Sequence, residues 1–355
     1  SGIITGDSTY TGESASIGFT ITDNESAPTV TLTSSASSVA ENGSALTLTA
    51  TLSGAADEAV TVGISTSGTG TEGTDYATIS DITITAGSTT GTTSFTPTDD
   101  SVYEGNETGI VAIDTVSGGG ATENGTQSVT ITITDDENAP TVTLTSSASS
   151  IAENSGSSLT LTATLSGATN ANVTVALSTS GTGTEGTDYG TISDITITAG
   201  STTGTATFTP TDDTTYEGNE TGIIAIDTVT GGSATENGTQ SVTLTITDNE
   251  SAPTVTLTSS ASSIAENAGS SLTLTATLSV ATTANVTVAL STSGTGTEGS
   301  GGDYATISDI TISAGNTTGT ATFTPTDDST FEGNETAIID IDSVSGGSAS
   351  ENGTQ

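Results

Sequence analysis

The chain has 355 residues, 42 of them Asp or Glu and none Lys, Arg or His, for a formal charge of −42. Nucleic acid and anionic lipid are held through Lys and Arg, so both are excluded as partners, and serine hydrolysis lacks the base it needs. The absence of Cys removes disulfides and thiolate metal sites. The absence of Lys removes isopeptide cross-links, which leaves divalent cations as the natural partner of this surface.

Hydrophobic residues make up 30% of the chain and aromatic residues 3%, which predicts a thin core of Val, Ile and Leu. High acidity with few aromatics is also a mark of disorder, and the pattern along the chain decides against it. No apolar run is long enough to suggest a membrane-spanning segment. Ser1 leads straight into strand-like sequence with no charged or apolar leader, as in a mature form or a segment of something longer.

In chain order, residues 1–15 diverge from the rest of the chain, and Ser16–Glu25 (SIGFTITDNE) matches Ser241–Glu250 (SVTLTITDNE). Residues 1–26 therefore read as the terminal strand or strands of a preceding or neighbouring-subunit repeat. The run APTVTLTSSASS then begins at Ala27, Ala139 and Ala252, which sets repeats at 27–138, 139–251 and 252–355. The third lacks the last strand that the other two continue into. A period this long fits one sandwich domain per repeat rather than a solenoid coil.

Within a repeat, Leu46-Thr47-Leu48-Thr49-Ala50-Thr51-Leu52, Val60-Thr61-Val62-Gly63-Ile64, Ile82-Thr83-Ile84 and Val129-Thr130-Ile131-Thr132-Ile133 alternate strictly. Period 2, with β-branched Thr on the other face, predicts strands buried on one side, and no window shows a helical period. The expected fold is all-β: tandem antiparallel, immunoglobulin-like β-sandwich domains of about seven strands each. Asn124-Gly125, Asn237-Gly238 and Asn352-Gly353 predict a hairpin turn joining the last two strands of a repeat.

Late in each repeat comes a ladder of acids: Thr98–Glu107 (TDDSVYEGNE), Thr211–Glu220 (TDDTTYEGNE) and Thr326–Glu335 (TDDSTFEGNE). Two carboxylates ~4 Å apart repel by ~4 kcal/mol at an effective dielectric near 20, against ~5–15 kcal/mol of total stability for a small domain. Either these acids stay apart in water as a solubilising rim, or a cation sits among them. Oxygen is the only donor available, which excludes ordinary zinc and copper sites. Calcium accepts many oxygens in flexible geometry, whereas magnesium demands a tighter octahedron. Isolated acids such as Asp57, Glu58, Asp81 and Asp114 read as solvated surface.

Other motifs carry less. Carboxylate pairs run glycoside hydrolysis, but no Trp and few aromatics are present to stack a sugar. Gly68–Gly73 (GTGTEG) lacks the Lys and the helix of a phosphate loop, so it reads as a turn. Tyr76, Tyr189 and Tyr304 read as core plugs beside the loops that hold Asp75, Asp188 and Asp303. Asn-x-Ser/Thr patterns, for example at Asn42, Asn106, Asn219 and Asn334, leave glycans as an open alternative, since a Ser/Thr-rich chain produces such matches by composition.

Four blocks in fixed order resemble the Calx-β family of sandwich domains found in sodium–calcium exchangers, some integrins and large bacterial surface proteins. They are Ala40-Glu41-Asn42, Gly73–Tyr76 (GTDY), the Asp-Asp-x-x-Tyr-Glu-Gly-Asn-Glu ladder, and Thr134–Glu137 (TDDE). The resemblance covers essentially the whole chain as tandem copies, and it implies calcium held by loops at one end of each sandwich, near the next domain. Carried over, it implies Glu41, Asp75, Asp99, Asp100, Glu104, Asp135 and Asp136 in the first repeat. In the second it implies Glu153, Asp188, Asp212, Asp213, Glu217 and Asp248, and in the third Glu266, Asp303, Asp327, Asp328 and Glu332. Two departures stand out. Asn249 replaces Asp136, which is expected to weaken a site, and a two-residue insertion before Asp303 is expected to shift its approach.

The expectation is an extracellular, cell-surface, non-enzymatic protein forming a calcium-rigidified fibre. Its partners would be copies of itself, joined head to tail by the spare front strand. A cropped segment of a longer array, a passive adhesin stalk and a calcium-sensing module stay open beside it.

Overall fold

The computed structural model describes residues 17–353, so Ser16, the divergent stretch 1–15 and the last two residues lie outside it. The first repeat runs β1 (Thr29–Ser34), β2 (Ser38–Ala40), β3 (Leu46–Leu52), β4 (Val60–Gly68), β5 (Ile82–Ile84), β6 (Thr90–Phe95), β7 (Val102–Tyr103), β8 (Glu107–Ser117), β9 (Thr122–Glu123) and β10 (Ser128–Thr134). The second runs β11 (Thr141–Ser146), β12 (Ser150–Ala152), β13 (Leu159–Leu165), β14 (Ala168–Thr169), β15 (Val173–Gly181), β16 (Ile195–Ile197), β17 (Thr203–Phe208), β18 (Thr215–Tyr216), β19 (Glu220–Thr230), β20 (Thr235–Glu236) and β21 (Ser241–Thr247). The third contributes β22 (Thr254–Ser259), β23 (Leu272–Leu278), β24 (Ala281–Thr282), β25 (Val286–Gly294), β26 (Ile310–Ile312), β27 (Thr318–Phe323), β28 (Ala337–Ser345) and β29 (Ser350–Glu351). Among the described residues no helix is long and apolar enough to cross a membrane.

The chain separates into two units: residues up to Asp100 with Gly105–Asp136, and Ser101–Glu104 with everything from Glu137 onward. In the first, the sheet β6-β3-β1-β9 is joined by the sheet β2-β10-β8-β4-β5. Seven principal strands are antiparallel, and the short β2 and β9 add at the edges in parallel. Alternation explains the layers. Val30 and Leu32 face inward and are buried, while Thr31 and Thr33 face out and donate through Oγ1 to Thr51 O and Thr49 O. The core is Val, Ile and Leu around a single aromatic pair, Tyr76 stacked on Phe95 with centroids 4.6 Å apart. Such a stack adds roughly 0.5–1.5 kcal/mol beyond the area it buries.

In the second unit the second repeat rebuilds the same two sheets, β17-β13-β11-β20 and β12-β21-β19-β15-β16, around Tyr189 and Phe208. Two short parallel ladders also lie in this unit. Val102–Tyr103 of β7 pair with Ala168–Thr169 of β14, and Thr215–Tyr216 of β18 pair with Ala281–Thr282 of β24. The third repeat keeps β27-β23-β22-β29 but has only β26-β25-β28 opposite it. Ser263–Ala265, which correspond to β12, form no strand, and Phe323 is half-buried where Phe95 and Phe208 are fully buried.

Two expectations need correction. Asn124-Gly125 does link β9 to β10, but the two strands belong to different sheets; β9 pairs with β1, and Gln127 folds back to Glu123 and Asn124 instead of extending a hairpin. Asp81 is not idle surface. Each long strand β4, β15 and β25 carries a bulge at Gly63/Ile64, Ala176/Leu177 and Ala289/Leu290. The amide freed there donates to Asp81, Asp194 or Asp309 at 3.0–3.1 Å, which satisfies a group a bulge otherwise leaves unpaired. Within this chain residues 17–25 form no strand, and Ile17, Phe19 and Ile21 are exposed.

Candidate metal centre

The best-formed acid cluster closes the second repeat. After β21 the chain turns through Asp248-Asn249-Glu250, and the turn is held because Glu250 N–H donates to Asp248 Oδ1 at 2.8 Å, the local bond that makes Asp a turn former. The other oxygen, Oδ2, accepts from two successive amides of the acid ladder, Glu217 N (2.8 Å) and Gly218 N. Gly218 sits at φ 76°, and that left-handed residue lets neighbouring N–H groups converge on one carboxylate. Asn219 Oδ1 accepts from Asp248 N at 3.2 Å, so Asp248 is anchored on every side. Glu153 arrives from the opposite end of the repeat on a 3₁₀ turn, Glu153–Ser155, and accepts from Asn249 N at 3.3 Å.

One carboxylate oxygen each from Glu153, Asp248 and Glu250 lies within 4.8 Å of the other two. Glu153 is 8% exposed. Glu250 Oε2 is buried without a hydrogen-bond partner, although its Oε1 accepts from Asn249 Nδ2. Burial, the proximity of the Glu250 carboxyl and the Asp248 charge push Glu153 up to about 7. Burial also works to raise Asp248, but the amides of Glu250, Gly218 and Glu217 outweigh it and hold this acid below its ordinary value. A second trio, Asp188, Glu217 and Glu220, meets within the same limit. Thr184 N donates to Asp188 Oδ2 at 2.6 Å and fixes it. Burial, then the Asp188 and Glu217 charges, push Glu220 up to about 7, and Glu217 is raised by burial and the same crowding.

These sites fit calcium. Oxygens bound at about 2.3–2.6 Å on opposite sides of Ca²⁺ stand about 4.6–5.2 Å apart, and adjacent ones closer. Donor sets of hard carboxylates, one carrying an orphaned buried oxygen, answer that spacing, and the chain has no cationic side chain to answer it instead.

In the first repeat Glu41, Asp99 and Asp136 converge, with Asn42 Nδ2 donating to Asp136 at 2.6 Å. Asp135 approaches Glu41 and accepts from Gly105 N, and Asp75 approaches Glu107. Asp100 is exposed, and Glu104 belongs to the segment grouped with the second unit. In the second repeat Asp212 and Asp213 are exposed, and Asp213 caps Thr215 N at 2.6 Å. Asn249 lacks the charge that Asp136 brings to Glu41 and Asp99 in the first repeat, while Glu153, Asp248 and Glu250 meet without it. In the third repeat the insertion does not displace Asp303. Its Oδ2 accepts from Thr297 N and Thr326 N donates to its carbonyl, as around Asp188, so the extra residues are absorbed in the loop between. Glu266, Asp327, Asp328 and Glu332 are exposed.

Sequence reasoning missed Glu107, Glu220 and Glu250. The first two are the final Glu of the ladder and the third is the Glu closing Thr-Asp-Asn-Glu, so the repetition itself held the signal. It also gave no hint that Glu72, Glu185 and Glu298 are structural. Each accepts from a backbone amide, Ile79, Ile192 or Ile307, and from a Thr hydroxyl.

The Calx-beta domain family matches residues 23–137, 135–250 and 248–354. A search of the curated proteins finds no match. Among solved structures, CBD12 from CALX1.2 is 16% identical over 61% of this chain and 99% of its own, with a TM-score of 0.29. The apo form of the Calx CBD1 domain is 20% identical over 31% of this chain and 99% of its own, TM-score 0.27. Invasin, a bacterial integrin-binding protein, is 19% identical over 89% of this chain and 56% of its own, TM-score 0.31.

Proposed function

The chain belongs to the Calx-beta domain family, and from that premise we propose that it is an extracellular, non-enzymatic structural protein whose tandem sandwiches are stiffened by calcium into a fibre of head-to-tail copies. The observation that carries this reading is the meeting of Glu153, Asp248 and Glu250 around a buried, unpartnered Oε2 in a chain without a cationic side chain. In the second repeat calcium is held by these three and by Asp188, Glu217 and Glu220. In the first it is held by Glu41, Asp99 and Asp136, with Asp135 beside Glu41, and Asp75 and Glu107 offer a separate pair. The ion supplies positive charge and a shared coordination centre.

The chain's own residues do the rest. Amides of the ladder pre-orient Asp248, the 3₁₀ turn delivers Glu153, and Thr184 fixes Asp188. Glu217 and Glu220 flank the same loop whose Tyr216 pairs with the following repeat at Thr282, so fixing these carboxylates stiffens the link to that repeat. Without the ion, crowding of like charges loosens the loop.

Calorimetric melting tests the reading. At calcium about 100-fold above Kd, binding to the native state alone adds ~2.7 kcal/mol per site, so the transition is expected to move up by roughly 10 °C or more. Identical melting in calcium and in chelator would remove calcium from the account.

A further inference from the structure

One sheet of every repeat turns a face of threonine to solvent. Every outward position of β11, β13 and β17 is Thr, as is every outward position of β22, β23 and β27. In the first repeat β1, β3 and β6 depart from this only at Ser94. The strands pair without a break, so the side chains stand in rows. Thr145, Thr162 and Thr205 lie side by side, and Thr143, Thr164 and Thr203 form the next row. Thr49 and Thr275 occupy the place of Thr162 in the first and third repeats, between the matching threonines of their own neighbours. Strand spacing and rise set this lattice at about 4.8 Å across the strands and about 6.6 Å along them.

Three further observations set this face apart from an ordinary soluble sheet. Charge is the usual means of keeping a surface in solution, yet none of the 42 acids lies on these strands. The lattice is also uninterrupted, because the bulges fall in β4, β15 and β25 of the opposite sheets. Finally, the side chains are held. Thr143 and Thr145 donate through Oγ1 to Thr164 O and Thr162 O, and the first and third repeats make the same bonds. Together with the stiff χ1 of a β-branched residue, these bonds fix where each methyl and each hydroxyl oxygen stands. Thr145 and Thr205 are exposed, and Thr162 is half-buried between them.

We propose that these threonine sheets bind the surface of ice. A regular array of weak, uncharged contacts is matched only by a ligand that is itself periodic and uncharged. A crystalline polysaccharide would call for aromatic rings to stack on, and no outward position of these strands carries one. Crystalline water needs none. The methyl groups restrict the orientation of the water beside them, and the hydroxyl oxygens accept hydrogen bonds from it. Water over the sheet is therefore ordered at the spacing of the sheet. Across the strands that spacing lies close to the shortest repeat of hexagonal ice, so the ordered layer joins the crystal along that direction. A carboxylate on the face would instead gather water around its own charge and break the register. The inference uses no acid and stands apart from the calcium reading.

Single ice crystals grown in the presence of the full chain test this. In millimolar calcium the chain is expected to give faceted crystals, a gap between the melting and growth temperatures, and several-fold enrichment in slowly grown ice. Rounded crystals with no gap overturn the proposal. One variant carries Thr49→Glu, Thr162→Glu and Thr275→Glu in the central strands β3, β13 and β23, and it is expected to lose the gap. A control carries Thr83→Glu, Thr196→Glu and Thr311→Glu, at exposed positions of β5, β16 and β26 in the other sheets. It adds the same charge and is expected to keep the gap; equal loss from both variants overturns the assignment to the threonine lattice. Circular dichroism reports whether each variant is folded. Should the central Glu variant unfold, Thr49→Ser, Thr162→Ser and Thr275→Ser decide, since they keep the hydroxyls and remove only the methyls. They are expected to shrink the gap several-fold with little change in melting of the protein, and an undiminished gap overturns the role of the lattice. The melting of the protein in calcium and in chelator is a separate measurement, so failure here leaves the calcium reading where it stood.

Discussion

Glu153 and Glu250 bring carboxylate oxygens within 4.8 Å of each other, although one enters near the start of the second repeat and the other closes it. The proximity has a signature in pH. With its folded pKa raised from 4.5 to about 7, Glu153 favours the protonated form in the native state. Its contribution to the metal-free protein is complete below about 4.5 and is lost as pH rises through about 7. Glu220 behaves alike. Asp248, held low, contributes in the opposite sense, and that contribution is lost only in stronger acid. Melting in chelator is expected to fall between pH 5 and 8. In calcium, which binds deprotonated ligands, the stabilisation by the ion grows over the same interval.

Removing the anchored acid should separate structure from metal. Asp248→Asn keeps an acceptor for the ladder amides but removes a charge, and the calcium affinity of the second repeat is expected to fall at least tenfold, worth ~1.4 kcal/mol. Calcium titration by calorimetry reads this directly, and an unchanged affinity would place the ion elsewhere.

The bulge in β15 depends on one side chain. Asp194→Ala leaves the Leu177 amide without its acceptor, and the expected loss is about 1–3 kcal/mol. Calcium does not enter, so the loss is the same in chelator and in millimolar calcium when followed by denaturant unfolding.

Core position predicts unequal costs for one substitution. Phe208 is fully buried against Tyr189, and Phe208→Ala is expected to cost ~3–5 kcal/mol. Phe323 is half-buried beside Tyr304, so Phe323→Ala should cost less than half as much in the monomer. Equal losses in denaturant unfolding would contradict the half-burial of Phe323.

The strands are legible in the sequence because Leu46–Leu52 and its counterparts keep a strict period of two, and nothing tertiary overrides it. The Asn-Gly turn misleads because a turn residue reports a reversal, not which sheet receives the next strand, and β9 crosses to pair with β1. Asp81 and Asp194 look like solvated surface because a bulge has no signature in one sequence. Glu220 escapes notice because it opens β19, where a residue is read for its face rather than its charge. Glu250 lies one step past the turn at which Asp248 ends the expected site.

Tyr216 stands between Asp213 and Glu217, so the ladder that gathers carboxylates is also the rung by which one sandwich grips the next. Tension along such a string would shear that two-residue parallel ladder across its hydrogen bonds. The loop behind it would have to uncoil before either core felt the load. Under the proposed calcium reading, an ion held by Glu217 and Glu220 would lie in that path as a clasp, and the pulling force at which the first module gives way would become a reading of the calcium in the surrounding water.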